Sequence, residues 1–137
     1  MAIISTKGSY GLTAIVILAK EEDNKLLQIK DIAAKGDIPQ NYLEQILVLL
    51  KKSGLVESVR GANGGYKLSR DANSIMVFEV LNSLECCLAQ TENKSNNNML
   101  EAFWEDTQDK VKKIFLITVQ ELVEFLEKDS SNLTYQI

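Results

Sequence analysis

The 137-residue chain is 45% hydrophobic and 25% charged, the composition of one globular domain with an appended segment rather than of a disordered or fibrous chain. Its formal net charge of −4 conceals a division: residues 1–70 carry 10 Lys/Arg against 7 Asp/Glu, and residues 71–137 carry 5 against 12, so only the first half has the sign to face a polyanion. Histidine is absent, which excludes Ser-His and Cys-His nucleophilic pairs and His-ligated metal within the chain, and the scattered carboxylates read as solvated, so no enzyme is expected.

Residues 1–7 show no basic segment before an apolar core. The longest uncharged run, Gly8 to Ala19, falls short of the roughly 20 residues of a membrane span, so the expectation is a soluble, cytoplasmic protein that engages no membrane. Residues 8–20 are apolar around nearly the whole circumference of a helix, the pattern of a core or interface helix. After the polar turn Glu21–Lys25, Ile29, Ile32 and Ala33 stand at helical spacing within residues 28–35, and Gly36 is the expected C-terminal stop. Pro39 fixes the first turn of the next helix. Its apolar stripe is Leu43, Ile46, Leu47 and Leu50, and its other face carries Asn41, Glu44, Gln45, Val48 and Lys52.

Ser53-Gly54 closes that helix, and Leu55–Val59 is rich enough in branched residues for a strand. The stretch Arg60-Gly61-Ala62-Asn63-Gly64-Gly65-Tyr66-Lys67-Leu68 then turns and alternates like a partner strand. Asn73 or Ser74 is placed to cap a helix with the stripe Met76, Val77, Val80, Leu81 and Leu84. Residues 89–98, AQTENKSNNN, have no apolar periodicity and are expected to form a mobile loop. Met99 to Leu116 places Leu100, Phe103, Trp104, Val111, Ile114 and Phe115 at helical spacing, a long helix whose aromatics need something to pack against. Thr118-Val-Gln-Glu121 has the form of a capping box, opening a last helix with Leu122, Val123, Phe125 and Leu126. A polar tail that frays is expected after Lys128.

Two short helices joined by a tight turn and followed by a hairpin describe a winged helix-turn-helix, in which the second helix enters the major groove and the hairpin tip reaches the neighbouring backbone or minor groove. The residue types agree: Asn and Gln pair with adenine edges, Glu44 can accept from cytosine N4, and Lys51, Lys52 and Lys67 suit phosphates. Arg60, at the base of the loop, has the guanidinium that narrow minor grooves attract, and Asn63, Gly64 and Gly65 suit a tip pressed against the duplex. The rival reading, a phosphate-cradling nucleotide loop, needs GxxxxGK[ST] before a helix or GxGxxG opening one, and RGANGGYKL supplies neither.

Three stretches carry a family resemblance: Ser5–Leu12 (STKGSYGL), Ile38–Leu47 (IPQNYLEQIL) and Gly54–Leu68 (GLVESVRGANGGYKL). They resemble the Rrf-two family of bacterial winged helix-turn-helix transcription regulators of the IscR/NsrR/CymR type, over about residues 3–126. The resemblance implies a fold that is mainly α with a small β-hairpin wing and a long C-terminal dimerisation helix. The divisions would be a DNA-binding domain over residues 1–85, a flexible loop over 86–98, dimerisation helices over 99–128 and the tail over 129–137. It implies a homodimer held through Leu100, Phe103, Trp104, Val111, Ile114 and Phe115, reading a roughly palindromic site on double-stranded DNA, more often as a repressor. Gln40, Asn41, Tyr42, Glu44 and Gln45 match recognition-helix positions, Arg60 matches a residue that enters the minor groove, and Thr6, Lys7 and Tyr10 match positions near phosphates. The alternative is an interaction module that keeps the fold, binds DNA weakly and acts through a partner protein.

The sequence also departs from the family. Many members hold an iron-sulfur cluster through three cysteines in the loop before the dimerisation helix, whereas residues 89–98 contain none, so neither a cluster nor another metal cofactor is expected. The two cysteines, Cys86 and Cys87, are adjacent, with Cα atoms about 3.8 Å apart, too close for an unstrained bridge between them. They read either as a redox-sensing pair or as small packing residues near a helix end.

Overall fold

In the computed structural model, residues 4–84 and 99–135 are described. The first helix, α1 (Thr6–Ala19), starts two residues earlier than its apolar run because Ser5 caps it, its hydroxyl accepting from the Gly8 N–H at 3.1 Å. It buries Ala14, Ile15, Val16 and Leu18, as expected of a helix apolar on more than one side, and forms the centre against which the other elements pack.

Helix α2 (Ile29–Gly36) docks through the fully buried Ile32, and α3 (Gln40–Lys52) through Leu43, Ile46, Leu47 and Leu50, all four at 0% exposure. The stop between them differs from expectation. Gly36 is still helical, and Asp37 takes the left-handed conformation (φ 51°, ψ 49°), a region that a short polar side chain tolerates. Ile38 N–H then closes on Ala33 O at 3.0 Å while its side chain is buried, the Schellman pattern of backbone closure with an apolar contact. A Cβ on Gly36 would stand 2.9 Å from Ile38 Cδ1 and 3.1 Å from Ile17 Cδ1, the ends of flexible side chains that would have to shift to admit it. Pro39 lies just outside α3, its carbonyl accepting from Tyr42 and Leu43 N–H at 3.1 and 2.9 Å.

Strands β1 (Val56–Val59) and β2 (Gly65–Leu68) pair antiparallel in the register Val56↔Leu68 to Val59↔Gly65. Leu27 adds a third rung that the sequence did not signal: it exchanges two backbone hydrogen bonds with Tyr66, at 2.9 and 2.7 Å. A strand one residue long leaves no alternation to detect.

Helix α4 (Val77–Leu84) buries Val77, Val80, Leu81 and Leu84, but neither Asn73 nor Ser74 caps it. These residues form a short 3-10 turn closed by Asp71, and the cap of α4 comes from the Glu79 carboxylate, which accepts from Met76 N–H at 2.8 Å. Helix α5 (Glu101–Ile114) buries no residue. The following segment is tied to the start of α4 by Val77 N–H to Ile117 O and Val119 N–H to Ile75 O, both 2.8 Å. Helix α6 (Val119–Tyr135) opens with Thr118 Oγ1 accepting from Glu121 N–H at 3.0 Å, then returns to the core through Val119 and Val123. It passes Lys128, where a polar tail was expected, and runs on to Tyr135 because nothing in that segment is Gly or Pro. Phe125, expected on its apolar stripe, is 65% exposed.

Candidate nucleic-acid interface

With its four leucine and isoleucine anchors buried, α3 has its orientation fixed, and its opposite face is turned to solvent. Gln40, Asn41, Glu44, Gln45, Val48, Lys51 and Lys52 are all exposed there. Among the described residues, none forms a side-chain hydrogen bond or ion pair with Gln40, Asn41, Glu44 or Gln45. Their donors and acceptors are thus free at the N-terminal end of the second helix of a helix-turn-helix, the end that meets base edges in such folds.

Tyr42 differs from its neighbours. It is half-buried and meets Tyr10 of α1 edge to face, with ring centroids 5.7 Å apart at 76°. The pair joins the start of α1 to the start of α3, so the two tyrosines position the helices and present only part of their surface outward. Thr6 is exposed and Lys7 half-buried in the first turn of α1.

The wing holds the second group. Arg60 is exposed, and its guanidinium has no partner among the described residues. The tip is closed by Gly64 N–H to Gly61 O at 3.0 Å, with Gly61 at φ 112°, a conformation closed to most side chains. Gly64 and Gly65, expected at a tip pressed against a duplex, stand where the loop enters β2. Gly64 is buried, and a Cβ on it would stand 2.0 Å from Val59 O; on Gly65 it would stand 2.5 Å from Leu27 O. Both are glycine because the hairpin and the Leu27 rung leave no room for a side chain. The tip therefore offers Arg60, Gly61, Ala62 and Asn63, all exposed.

Gln28, unremarked in the sequence, holds that tip. Its Nε2 donates to Ala62 O at 3.3 Å, tying the loop to the start of α2. Lys51 Nζ donates to Ser58 Oγ at 2.7 Å and so links the end of α3 to the wing. Lys67 faces Glu57 across the hairpin at 3.9 Å, a loose pair worth little in solvent. Of the three lysines expected to serve phosphates, only Lys52 has no such partner among the described residues.

Away from this face, Leu100, Phe103, Trp104 and Ile114 of α5 are 48%, 58%, 48% and 69% exposed, while Val111 and Phe115 are half-buried. Phe103 and Trp104 pack edge to face at 5.2 Å, and Lys112 lies 5.3 Å over the Phe78 ring. A groove of about 360 Å³ lined by Leu12, Val16, Leu81, Phe115, Leu122 and Leu126 runs between α1, α4 and α6. Cys86 and Cys87, and the expected loop over residues 86–98, lie outside the described residues.

Among the described residues, which do not include Cys86 and Cys87, no three His, Cys, Asp or Glu side chains converge to hold a metal. No helix among those described is long and apolar enough to cross a membrane.

Comparison with known proteins gives the geometry a context. Residues 4–125 match the model of the Rrf2 family, described as iron-dependent transcriptional regulators. The HTH-type transcriptional regulator CymR of Bacillus subtilis strain 168 is 31% identical over 136 residues, covering 98% of this chain and 99% of that protein. The HTH-type transcriptional regulator IscR of Cereibacter sphaeroides is 45% identical over 84 residues, 60% of this chain and 54% of that protein. The solved structure of CymR, the global cysteine regulator of B. subtilis, superposes with a TM-score of 0.77 at 33% identity, covering 91% of this chain and 98% of that one. By the span of the family match and the extent of likeness to CymR, this chain belongs to the Rrf2 family of transcriptional regulators, which are winged-helix proteins and not enzymes.

Proposed function

We propose that the chain acts in the cytoplasm as a homodimeric, sequence-specific DNA-binding regulator that represses by covering promoter DNA. One observation carries the reading: four unengaged polar side chains, Gln40, Asn41, Glu44 and Gln45, share the outward face of α3, while the unpartnered Arg60 stands on the adjoining wing. In this arrangement α3 lies in the major groove, where Asn41 and Gln45 pair with adenine edges and Glu44 accepts from cytosine. Arg60 enters the flanking minor groove, where negative potential is greatest over narrow A·T tracts. Thr6, Lys7 and Lys52 take phosphates, which fixes register without reading sequence.

The exposed aromatics of α5 and the apolar groove beside α1 support the dimer, since a second copy offers the surface that each of them lacks. Two α3 helices related by a twofold axis then read two half-sites about one helical turn apart. In this reading regulation does not pass through an iron-sulfur cluster, which the lack of cysteine in residues 89–98 supports.

Selection of genomic DNA by the purified protein, followed by sequencing, tests the proposal. The expected product is a motif of two inverted half-sites. Recovery of fragments with no shared motif would refute it.

A further inference from the structure

Val48 is not among the residues packed in the core. It lies on α3 with 65% of its surface exposed, the most exposed of the described large aliphatic residues outside the C-terminal helices. Single exposed aliphatics are common and ordinarily call for no account, but the position of this one is specific. At about 100° per residue, Val48 falls within about 60° of Asn41, Glu44, Gln45 and Lys52, and it points about 150° away from the buried Leu43, Ile46, Leu47 and Leu50 stripe. It thus occupies the middle of the face on which every other side chain bears a polar head. A β-branched residue also forms helix less readily than the Lys, Gln or Glu that would suit a solvated face. Neither stability nor solubility accounts for a valine there.

We infer that Val48 is a specificity-determining residue that packs its methyl groups on the C5-methyl of a thymine in the major groove. The inference rests on the DNA-binding reading above and adds a base to it. Thymine is the one base that presents an apolar group on the major-groove edge, and small apolar side chains are its partners. Val48 stands two helical turns, roughly 10 Å, beyond Asn41, so the thymine lies deeper along the groove than the bases that Asn41 and Glu44 read.

The other prominent features carry less. The pocket bounded by Glu21, Asn24, Arg70, Asp71 and Gln120 has its charged groups already engaged, Glu21 with Lys35 at 2.8 Å and Arg70 with Glu79 at 2.7 Å. The apolar groove by α1 belongs to the dimer already proposed.

The test is a double substitution across the interface, using the full chain and its selected genomic site. Each thymine in a half-site is replaced by uracil, which lacks only the C5-methyl, and binding is measured for the wild type, Val48→Ala and Val48→Thr. One uracil position is expected to weaken wild-type binding by about fourfold, the factor one buried methyl is worth, and to leave Val48→Ala binding unchanged. Val48→Thr, which keeps one methyl, should fall between. Val48→Thr should melt close to the wild type and Val48→Ala no earlier than it, since Val48 is exposed and alanine is the better helix former. If the uracil profiles of wild type and Val48→Ala coincide on a site that both bind specifically, the Val48 assignment is overturned while DNA binding stands. If no duplex is bound in preference to random DNA, both fail.

Discussion

At the residue scale, the wing shows how a sequence pattern and its physical cause can part. The glycines of RGANGGYKL mark a hairpin tip in the sequence, and the tip is there, but Gly64 and Gly65 are fixed by backbone carbonyls of Val59 and Leu27 rather than by a duplex. A Gly64→Ala variant should accordingly be destabilised by more than about 1 kcal/mol and melt earlier, because the Cβ must displace backbone rather than a flexible side chain. Arg60→Ala, by contrast, should leave the melting temperature in place and weaken specific DNA binding by about 1 to 3 kcal/mol, most at A·T-rich flanks, which titration against duplexes of varied flanking sequence would read. The exposed place of Arg60 on the wing was legible because the arginine stands where the strand-like run gives way to a Gly-rich turn. Gln28 was not legible, since its hydrogen bond to Ala62 O spans 34 residues and depends on how α2 is docked.

At the scale of elements, the helices with one clean apolar stripe were the most readable. Leu43, Ile46, Leu47 and Leu50 of α3 are buried as their spacing requires. Helix starts were less so, because the cap of α4 is the backward reach of Glu79, whose carboxylate accepts from Met76 N–H, and not the nearby Asn73 or Ser74. The Leu27 rung escaped notice for want of any period. Leu47→Ala should cost about 2 to 5 kcal/mol in chemical denaturation, since the side chain is wholly buried in the layer that orients α3. Loss of DNA binding in that variant should follow the fraction unfolded, and not precede it.

For the whole molecule, the division of charge and the division of apolar surface agree. The first half, with its positive balance, carries the α3 face and the wing. The acidic second half carries α5, whose exposed Phe103 and Trp104 find no cover within the described residues. Sequence periodicity identified the α5 stripe but could not say that one chain leaves it uncovered, which required seeing α6, and not α5, close over α1. If the proposed dimer forms through α5, replacing Phe103 and Trp104 together by Glu is expected to give a monomer in sedimentation experiments, and to reduce binding to a two-half-site duplex far more than to a single half-site.

Whether α3 and the wing read a particular sequence can be decided by competition between the selected genomic duplex and the same duplex with its half-sites shuffled, at moderate salt. The selected duplex is expected to be preferred by about a thousandfold or more, with affinity for both falling steeply as salt rises. Equal retention of the two duplexes would contradict it.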